Sequence, residues 1–328
     1  MKIAVLGYGG IAKRHLANIR IQKPNARMIV LRGRDLPLDD GDADVTRARG
    51  MDEILAFAPD CAIIASPASE HISQAMSLAR RGAHLLIEKP LARGTDGTDE
   101  LIALCREKKL VLMVGYNMAY MRELSDFIGL VRGGAVGEVL SVRAEVGQYL
   151  SDWRPSRDYR SCVSAREELG GGVLLELSHE IEYADRLIGG TKEVFCLARR
   201  TGLLDIDAED AADIMLRGAS DAVASIHMNM QQKTPYRSCR VAGTKGMLNF
   251  NLTDNILYER RPGDDAWKIR GRYAPRDRNQ MYADELARFF ACAAGEGEPF
   301  PDGERGRLIV GIVEAAKKSA SEGVKISL

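Results

Sequence analysis

The sequence predicts an α/β protein of two domains: an N-terminal doubly wound parallel sheet and a C-terminal α+β domain with a large, mostly antiparallel sheet. First, short apolar strands and amphipathic helices alternate at short spacing as far as Asn117, a pattern typical of a parallel sheet. Second, longer strand-like runs follow from Val139 onward, and these predict antiparallel strands. We therefore place the domains at residues 1–117 and 118–328, a division that suits a chain of this length.

The first sixteen residues combine a strand, a glycine-rich turn and the start of a helix. Lys2–Leu6 is an apolar run long enough for a buried parallel strand. The turn that follows fits G-x-G-x-x-G/A and reads Gly7-Tyr8-Gly9-Gly10-Ile11-Ala12. Gly7 allows a tight turn, Gly9 lets the backbone approach a pyrophosphate, and Ala12 lets the helix pack on the strand. We expect all six residues to form a Rossmann dinucleotide site, the alternative being a glycine-rich connection that binds nothing.

Further parallel strands are predicted in this domain over residues 27–31, 61–65, 84–87 and 110–114. Residues that follow such strands lie at the carboxyl edge of the sheet, where ligands bind in open α/β folds. Ser66, Pro67 and His71 follow the third strand, and we expect them near the cofactor. For His71 the alternative is that it only satisfies the start of the next helix.

The second strand ends in Arg32-Gly33-Arg34-Asp35, where a dinucleotide fold meets the adenosine ribose. An acidic residue at this point binds the 2′-hydroxyl of NAD, whereas an arginine accommodates the 2′-phosphate of NADP. Because two arginines precede the acid, we expect Arg32 and Arg34 to bind the phosphate and NADP(H) to be preferred. In the alternative, both arginines are solvated and Asp35 binds the ribose of NAD.

The composition excludes several classes of partner and site. Lysine plus arginine equals aspartate plus glutamate at 46 each, so no overall charge favours nucleic acid or membrane surfaces. No apolar run approaches the ~18 residues of a membrane span, and the strand at the N-terminus leaves no room for a signal peptide. The 6 cysteines are scattered without a C-x-x-C pair. We therefore expect a cytoplasmic protein without disulfides or a metal.

The pattern of elements changes after Asn117. Strands are predicted over residues 139–147, 193–200, 211–216, 222–230, 236–241 and 247–251. The turn Gly243-Thr244-Lys245-Gly246 joins the last two as a hairpin. Helices are predicted over residues 120–131, 173–188, 280–294 and 305–321. Together these elements form the predicted α+β domain.

Five motifs and two closing helical segments together resemble the glucose–fructose oxidoreductase/inositol dehydrogenase/MocA (Gfo/Idh/MocA) family. They are GYGGIA at 7–12, EKP at 88–90, GYN at 115–117, GGGVLLELSHEIEY at 170–183, VAGTKGMLNF at 241–250, and the closing helical segments 282–290 and 302–319. The resemblance covers most of the chain. It implies NAD(P)-dependent oxidation or reduction of a small, sugar-like alcohol or carbonyl. It also implies a homo-oligomer, a dimer or tetramer, packed through the C-terminal sheet.

Hydride transfer from a secondary alcohol needs a group that takes the hydroxyl proton and stabilises the developing alkoxide. Lys89 follows Glu88 at the end of the fourth strand, and the resemblance assigns this lysine a catalytic role. We expect Lys89 to contact both substrate and cofactor, and Glu88 to contact the cofactor. The alternative is a structural ion pair between Lys89 and Glu88 or a neighbouring carboxylate.

His179 lies on the predicted helix 173–188, with Glu176 three residues before it and Tyr183 four residues after it. These spacings place the three side chains on one helix face, so we expect His179 to exchange the hydroxyl proton, Glu176 to orient its ring and Tyr183 to contact substrate. The family often has aspartate at the positions of Glu176 and Glu182, so the exact contacts of these longer side chains are open. Glu176-x-x-His179 also has metal-ligand spacing, but no second copy occurs in the sequence.

The stretch 152–160 is the best candidate for substrate selection. Trp153 and Tyr159 offer flat faces for a sugar ring, and the arginines at 154, 157 and 160 suit a carboxylate or phosphate. We expect Trp153, Arg154, Tyr159, Arg160 and the strand-ending Asn117 to bind a substrate that is an anionic sugar or nucleotide sugar. In the alternative, Asp152 and Asp158 pair with the arginines and the stretch is only a loop.

Three functions are compatible with these residues. The first is an NAD(P)-dependent dehydrogenase that acts on CH–OH groups of a sugar, polyol or nucleotide-sugar-like substrate. The second is a nucleotide sensor that uses the same fold without catalysis, which would not need both Lys89 and His179. The third is a reductase of a non-sugar substrate such as an imine or a linear tetrapyrrole.

Overall fold

The computed structural model describes residues 1–32, 38–153, 155, 157–275 and 277–328, without the side chain of Asp40. By their internal contacts these residues form two compact units. The first comprises residues 1–117 and 278–310, and the second comprises residues 118–277 and 311–328. The sequence predicts one domain over residues 118–328, whereas the chain returns to the first unit over residues 278–310.

The first unit contains a parallel sheet of 6 strands in the order β3-β2-β1-β4-β5-β6, counted over the described residues. Its strands are β1 (Lys2–Leu6), β2 (Arg27–Leu31), β3 (Thr46–Ala48), β4 (Cys61–Ile64), β5 (His84–Glu88) and β6 (Leu112–Gly115). The residues from Ile3 to Leu6 are fully buried, because helices cover both faces of a doubly wound sheet. The structure thus confirms the predicted parallel sheet and adds β3.

Helices connect these strands and follow them in sequence. They are α1 (Gly10–Gln22), α2 (Met51–Phe57), α3 (His71–Arg80) and α4 (Thr98–Glu107). The longer of these helices carry a buried apolar stripe, such as Leu16 and Ile19 on α1 or Leu101 and Ile102 on α4. This stripe packs on the sheet, as expected for amphipathic helices.

Residues 278–310 join the first unit through polar contacts and one backbone bridge. They contain α9 (Gln280–Ala293) and the start of α10 (Gly303–Glu322). The side chain of Gln22 on α1 donates to the carbonyl oxygen of Ala283 at 2.8 Å. Pro301 accepts a hydrogen bond from the backbone amide of Val114 at 2.8 Å. These residues therefore extend the packing around β6 and α1.

The second unit contains a sheet of 9 strands, again counted over the described residues, in the order β14-β13-β12-β11-β7-β10-β9-β8-β15. The strands are β7 (Val139–Gly147), β8 (Thr191–Arg199), β9 (Ala211–Gly218), β10 (Val223–Asn229), β11 (Tyr236–Gly243), β12 (Gly246–Asn251), β13 (Ile256–Arg260), β14 (Lys268–Arg272) and β15 (Ile326–Ser327). Only β7 and β10 pair in parallel among these strands. The pairing of Gly243 with Gly246 closes the predicted hairpin, and the sheet is mostly antiparallel as predicted.

In the described part of the second unit, four α-helices and the end of α10 accompany the sheet. They are α5 (Arg122–Arg132), α6 (Leu150–Trp153), α7 (Val173–Glu176) and α8 (His179–Leu187). The prediction of one helix over residues 173–188 is wrong, because Leu177 takes φ −103° and ψ 24° and ends α7. Helices lie against one face of the sheet, where α8 packs on β7 and β10.

Candidate active site

The glycine-rich turn after β1 has the geometry of an anion-binding turn. Gly7 has φ +100°, and a Cβ at this position would lie 2.5 Å from the carbonyl oxygen of Ala65, so only glycine fits. A Cβ on Gly9 or Gly10 would meet nothing within 4 Å, and no described side chain caps the start of α1. The backbone N–H groups at this helix start are therefore accessible, and the turn fits a dinucleotide pyrophosphate.

Two cations stack on the tyrosine of this turn. The guanidinium carbon of Arg32 lies 4.6 Å from the centre of the Tyr8 ring, and Lys13 Nζ lies 4.8 Å from it. The Tyr8 hydroxyl donates to Asp42 and accepts from the backbone amide of Asp39 at 2.8 Å. Burial raises the pKa of Tyr8, and the hydrogen bond to Asp42 raises it further. The ring thus holds positive charge beside the end of β2.

The other predicted ribose contacts, Arg34 and Asp35, lie outside the described residues. The structure adds Lys13, which the sequence analysis did not consider. The sequence feature that indicates Lys13 is its position one turn into the helix that follows the glycine motif. Lys13 also pairs with Asp39, so the end of β2 carries both signs of charge.

His71 connects two loops at the carboxyl edge of the sheet. The ring is 1% exposed; its Nδ1 lies 3.0 Å from the carbonyl oxygen of Pro90 and its Nε2 lies 2.9 Å from that of Ser66. Burial lowers the pKa of His71. Both ring nitrogens therefore face the protein interior, which favours an internal role over the predicted cofactor contact. Ser66 and Pro67 remain partly exposed at this edge.

The Glu88-Lys89-Pro90 segment begins at the last residue of β5. Glu88 Oε1 lies 2.6 Å from Nε2 of His15 on α1, and the two side chains are 12% and 0% exposed. A Cβ on Gly115 of β6 would lie 3.0 Å from Glu88 Oε2. The Glu88 carboxylate, which was predicted to contact the cofactor, therefore contacts His15 through one of its two oxygens. Lys89 is partly exposed.

Asn117 ends the first segment of the first unit and is 5% exposed. Its side chain hydrogen-bonds Tyr282 of α9, and burial raises the pKa of Tyr282. Tyr282 also lies edge-on to the ring of His15, with 6.4 Å between the ring centres. Tyr282 begins the motif segment 282–290, but its contact with Asn117 is not predicted from the sequence because the two residues lie far apart along the chain. Its contacts place Asn117 in a polar cluster between α1, α9 and β6.

The second unit positions the predicted proton-exchanging group. His179 is the first residue of α8 and is partly exposed, and Glu176 is the last residue of α7. Glu176 Oε1 accepts a hydrogen bond from Ser164 Oγ at 2.8 Å. Because the helix is interrupted between them, the three-residue spacing does not by itself place Glu176 beside His179.

The predicted substrate contact of Tyr183 is corrected by the structure. Its ring is 0% exposed, and its hydroxyl donates to Glu180 Oε1 at 3.2 Å. Glu180 is also fully buried and receives two hydrogen bonds from Arg237 of β11, at 2.6 and 2.8 Å. Burial raises the pKa of Tyr183 well above its usual value, and the charge of Glu180 adds to this. Tyr183 is therefore part of the buried packing behind α8.

Several side chains of the aromatic and arginine-rich stretch 152–160 make contacts within the protein. Arg160 Nε donates to both carboxylate oxygens of Asp158, at 2.9 and 3.0 Å, and this bond lowers the pKa of Asp158. The Tyr159 hydroxyl accepts from the backbone amide of Asp205 at 3.2 Å. Trp153 is partly exposed, and Arg154 lies outside the described residues. For Arg160 the structure thus favours the loop alternative.

A shallow depression of about 600 Å³ lies in the second unit, over β7 to β11. Its lining includes Leu197 and Met215, which are 59% and 51% exposed. It also includes the hydrogen-bonded side chains of His227 and Asp213, whose Nδ1 and Oδ1 atoms lie 2.7 Å apart. This face of the sheet therefore presents apolar and charged side chains to the surface together.

In the described parts of the chain, no helix combines the length and apolar character needed to cross a membrane. The same residues contain no group of three or more His, Cys, Asp or Glu side chains placed to hold a metal ion.

Two family models match the chain. Residues 1–116 match the model described as "Oxidoreductase family, NAD-binding Rossmann fold". Residues 128–249 match the GFO/IDH/MocA C-terminal domain. These matches fall on the parallel sheet of the first unit and on the beginning of the second unit.

Three individual proteins are similar to this chain over part or all of its length. Levoglucosan dehydrogenase of Pseudarthrobacter phenanthrenivorans is 29% identical over 226 residues, which cover 60% of this chain and 55% of the relative. Myo-inositol 2-dehydrogenase of Thermotoga maritima is 24% identical over 100% of this chain and 98% of its own. A crystal structure of the WlbA dehydrogenase from Bordetella pertussis, in complex with NADH and UDP-GlcNAcA, superposes with a TM-score of 0.83 at 23% identity, covering 100% and 98%.

Proposed function

The chain belongs to the Gfo/Idh/MocA family of oxidoreductases, and we propose that it transfers hydride between a nicotinamide cofactor and a secondary alcohol or ketone of a sugar, polyol or nucleotide-sugar-like substrate. One observation carries this proposal. The glycine turn that fits a pyrophosphate and the partly exposed Lys89 both follow strands of one parallel sheet, at its carboxyl edge. Ligands of open α/β sheets bind at this edge.

In the direction of oxidation, the alcohol loses a hydride from carbon and a proton from oxygen. A nicotinamide cofactor held at this edge of the sheet would supply the hydride acceptor. The ammonium group of Lys89 donates a hydrogen bond to the substrate oxygen and stabilises its developing negative charge. In one proposal the neutral amine of Lys89 takes the hydroxyl proton and so becomes that ammonium group; in a separate proposal His179 takes the proton while Lys89 stays an ammonium group throughout. The products are a ketone, the reduced cofactor and one proton, so atoms and charge balance.

The substrate class rests on the named relatives. Their names and complexes refer to an anhydrosugar, a cyclic polyol and a nucleotide sugar acid, which supports a sugar-like substrate here. An anionic substrate stays a proposal, because Arg160 already pairs with Asp158. If the substrate is anionic, we expect anionic sugars to have a lower KM than neutral sugars, and we expect this difference to depend on Arg154.

A substrate screen tests the proposed function. Purified protein would be incubated with NAD⁺ or NADP⁺ and a panel of polyols, aldoses, anhydrosugars, uronic acids and nucleotide sugars, while the appearance of reduced nicotinamide is followed by absorbance. We expect turnover with at least one member. Tight cofactor binding without turnover on the panel or on the matching ketones would instead support the sensor alternative.

We further propose that the protein prefers NADP(H), with Arg32 and Lys13 binding the 2′-phosphate. Hydrogen bonds to charged groups contribute about 1.5–3 kcal/mol. Arg32→Ala is therefore expected to weaken NADPH binding about 10- to 100-fold and NADH binding little. Fluorescence titration at fixed ionic strength measures both dissociation constants. Tighter binding of NADH by the wild type, with equal losses for both cofactors in the variant, would contradict the preference and move the ribose contact to Asp35.

We also propose that the exposed face of the large sheet pairs with a second copy of the chain, giving a dimer or tetramer. An arginine in place of Met215, which is 51% exposed on this face, would bury an unpaired charge in such an interface. We expect Met215→Arg to reduce the molar mass measured by light scattering. Leu203→Arg, at a residue 72% exposed in a loop of the same unit, is the matched control and should leave it unchanged. A wild-type protein that is monomeric at micromolar concentration would refute the interface.

A cytoplasmic location is retained as a proposal. All 6 cysteines are buried and free. Free thiols are typical of a reducing compartment, and fractionation of the cells that make the protein would test the location.

A further inference from the structure

The residues on both sides of Lys89 are each held by a buried histidine. Glu88, which precedes it, contacts His15; Pro90, which follows it, contacts His71. The two histidines come from different elements, α1 and the start of α3. Neither contact was assigned a function by the sequence analysis.

His71 ties the segment after β5 to the loop after β4. Its ring spans the carbonyl oxygens of Pro90 and Ser66, at 3.0 and 2.9 Å. A neutral imidazole has one N–H and donates to one of these oxygens, whereas an imidazolium donates to both. The ring is 1% exposed, so water does not compete for these contacts. Its rigid shape therefore fixes the spacing between the two loops.

His15 holds the carboxylate of Glu88 from the other side. His15 Nε2 and Glu88 Oε1 lie 2.6 Å apart, a short hydrogen-bond distance. Glu285 of α9 is fully buried nearby, and burial, with a smaller effect of the Glu88 charge, raises the pKa of Glu285 well above its usual value. His15 is the closest described partner of the Glu88 carboxylate.

We propose that His15 and His71 are positioning residues that clamp the Glu88-Lys89-Pro90 segment and so fix where the Lys89 amine is presented. This inference deepens the proposed function and rests on it. Holding the preceding side chain and the following carbonyl restricts the backbone on both sides of Lys89, which a single contact would not do. A misplacement of about 1 Å in a reacting group can cost about 100-fold in rate.

Variants of similar volume separate hydrogen bonding from packing. His71→Leu and His15→Leu remove both ring nitrogens and keep an apolar side chain. His71→Gln and His15→Gln keep one amide donor, which can reach one of the two carbonyls or the Glu88 carboxylate. His84→Leu is the matched control, because His84 begins the same strand and accepts a hydrogen bond from the Val111 amide at 3.0 Å.

Two measurements are made on each folded variant. The first is kcat and KM for a substrate found in the screen, with the dissociation constant of the cofactor. The second needs no substrate: the rate at which an amine-reactive reagent labels Lys89, measured by mass spectrometry across a range of pH. Circular dichroism and thermal unfolding establish that each variant is folded.

We expect His71→Leu and His15→Leu to lower kcat about 10- to 100-fold with little change in cofactor binding, and to change the pH profile of Lys89 labelling. The glutamine variants should lose less, and His84→Leu should match the wild type in both measurements. A folded leucine variant with wild-type kcat and labelling would overturn the proposal even if its melting temperature fell. Should a leucine variant not fold, wild-type kcat and labelling in the corresponding glutamine variant would overturn it.

The labelling profile also separates this inference from the proposed function. If the wild type oxidises no member of the panel, the function fails, and labelling of Lys89 alone decides whether the clamp exists. If the wild type is active and labelling is unchanged in all four variants, the clamp fails and the function stands.

Discussion

Lys89→Met is expected to lower kcat by at least about 100-fold, because positioned proton transfer contributes about 100- to 10,000-fold to such reactions. Methionine keeps the length and apolar stem of lysine but has neither the charge nor the donor. The methionine side chain therefore cannot stabilise the negative charge that develops on the substrate oxygen during hydride transfer. The pyrophosphate turn after β1 is untouched, so the dissociation constant of the cofactor should stay near that of the wild type.

Steady-state kinetics with the best substrate of the screen, together with cofactor titration, measure both quantities. Lys108→Met is the control, since Lys108 is exposed at the end of α4 and should be replaceable without loss. A Lys89→Met enzyme with unchanged kcat would show that Lys89 serves only in a structural ion pair. Loss of cofactor binding in parallel with kcat would instead mean that its main contact is with the nicotinamide nucleotide.

The strands that carry the candidate site could be predicted because their signal is local. The strands predicted for both sheets lie within two residues of the observed bounds at every end. A strand buried on both faces is an uninterrupted apolar run, and a half-buried one alternates. Strand β3, with 3 residues, and β15, with 2, are too short for either pattern. Strand β14 is mostly exposed, so its sequence does not alternate between apolar and polar residues as that of a half-buried strand does.

Contacts between distant segments were the part that could not be predicted. The glycine turn and the Glu88-Lys89-Pro90 segment are contiguous motifs. His15 and Glu88, however, are 73 residues apart, and the hydrogen bond between Tyr282 and Asn117 requires the chain to return to the first unit. Neither helix propensity nor hydrophobic periodicity contains information on which helix packs beside which strand. Those contacts, and the burial of Tyr183, follow only from tertiary packing.

Arg237→Met is expected to destabilise the protein by about 3–5 kcal/mol, the usual effect of removing one partner from a buried ion pair. Glu180 is fully buried and receives two hydrogen bonds from Arg237. Without the guanidinium, the buried carboxylate keeps the neutral hydroxyl of Tyr183 as its described hydrogen-bond donor, and a neutral donor does not compensate its charge. Urea denaturation followed by circular dichroism measures the change in the free energy of unfolding.

Two further variants show whether burial is the cause. Arg217→Met removes an arginine of the same sheet that is 49% exposed and pairs with Glu193 and Asp221, and it should cost less than about 1 kcal/mol. Replacing both Glu180 and Arg237 by methionine removes the uncompensated charge and should recover most of the loss. Equal costs for Arg237→Met and Arg217→Met would contradict this account, because the buried carboxylate would then gain no more from its partner than a surface pair does.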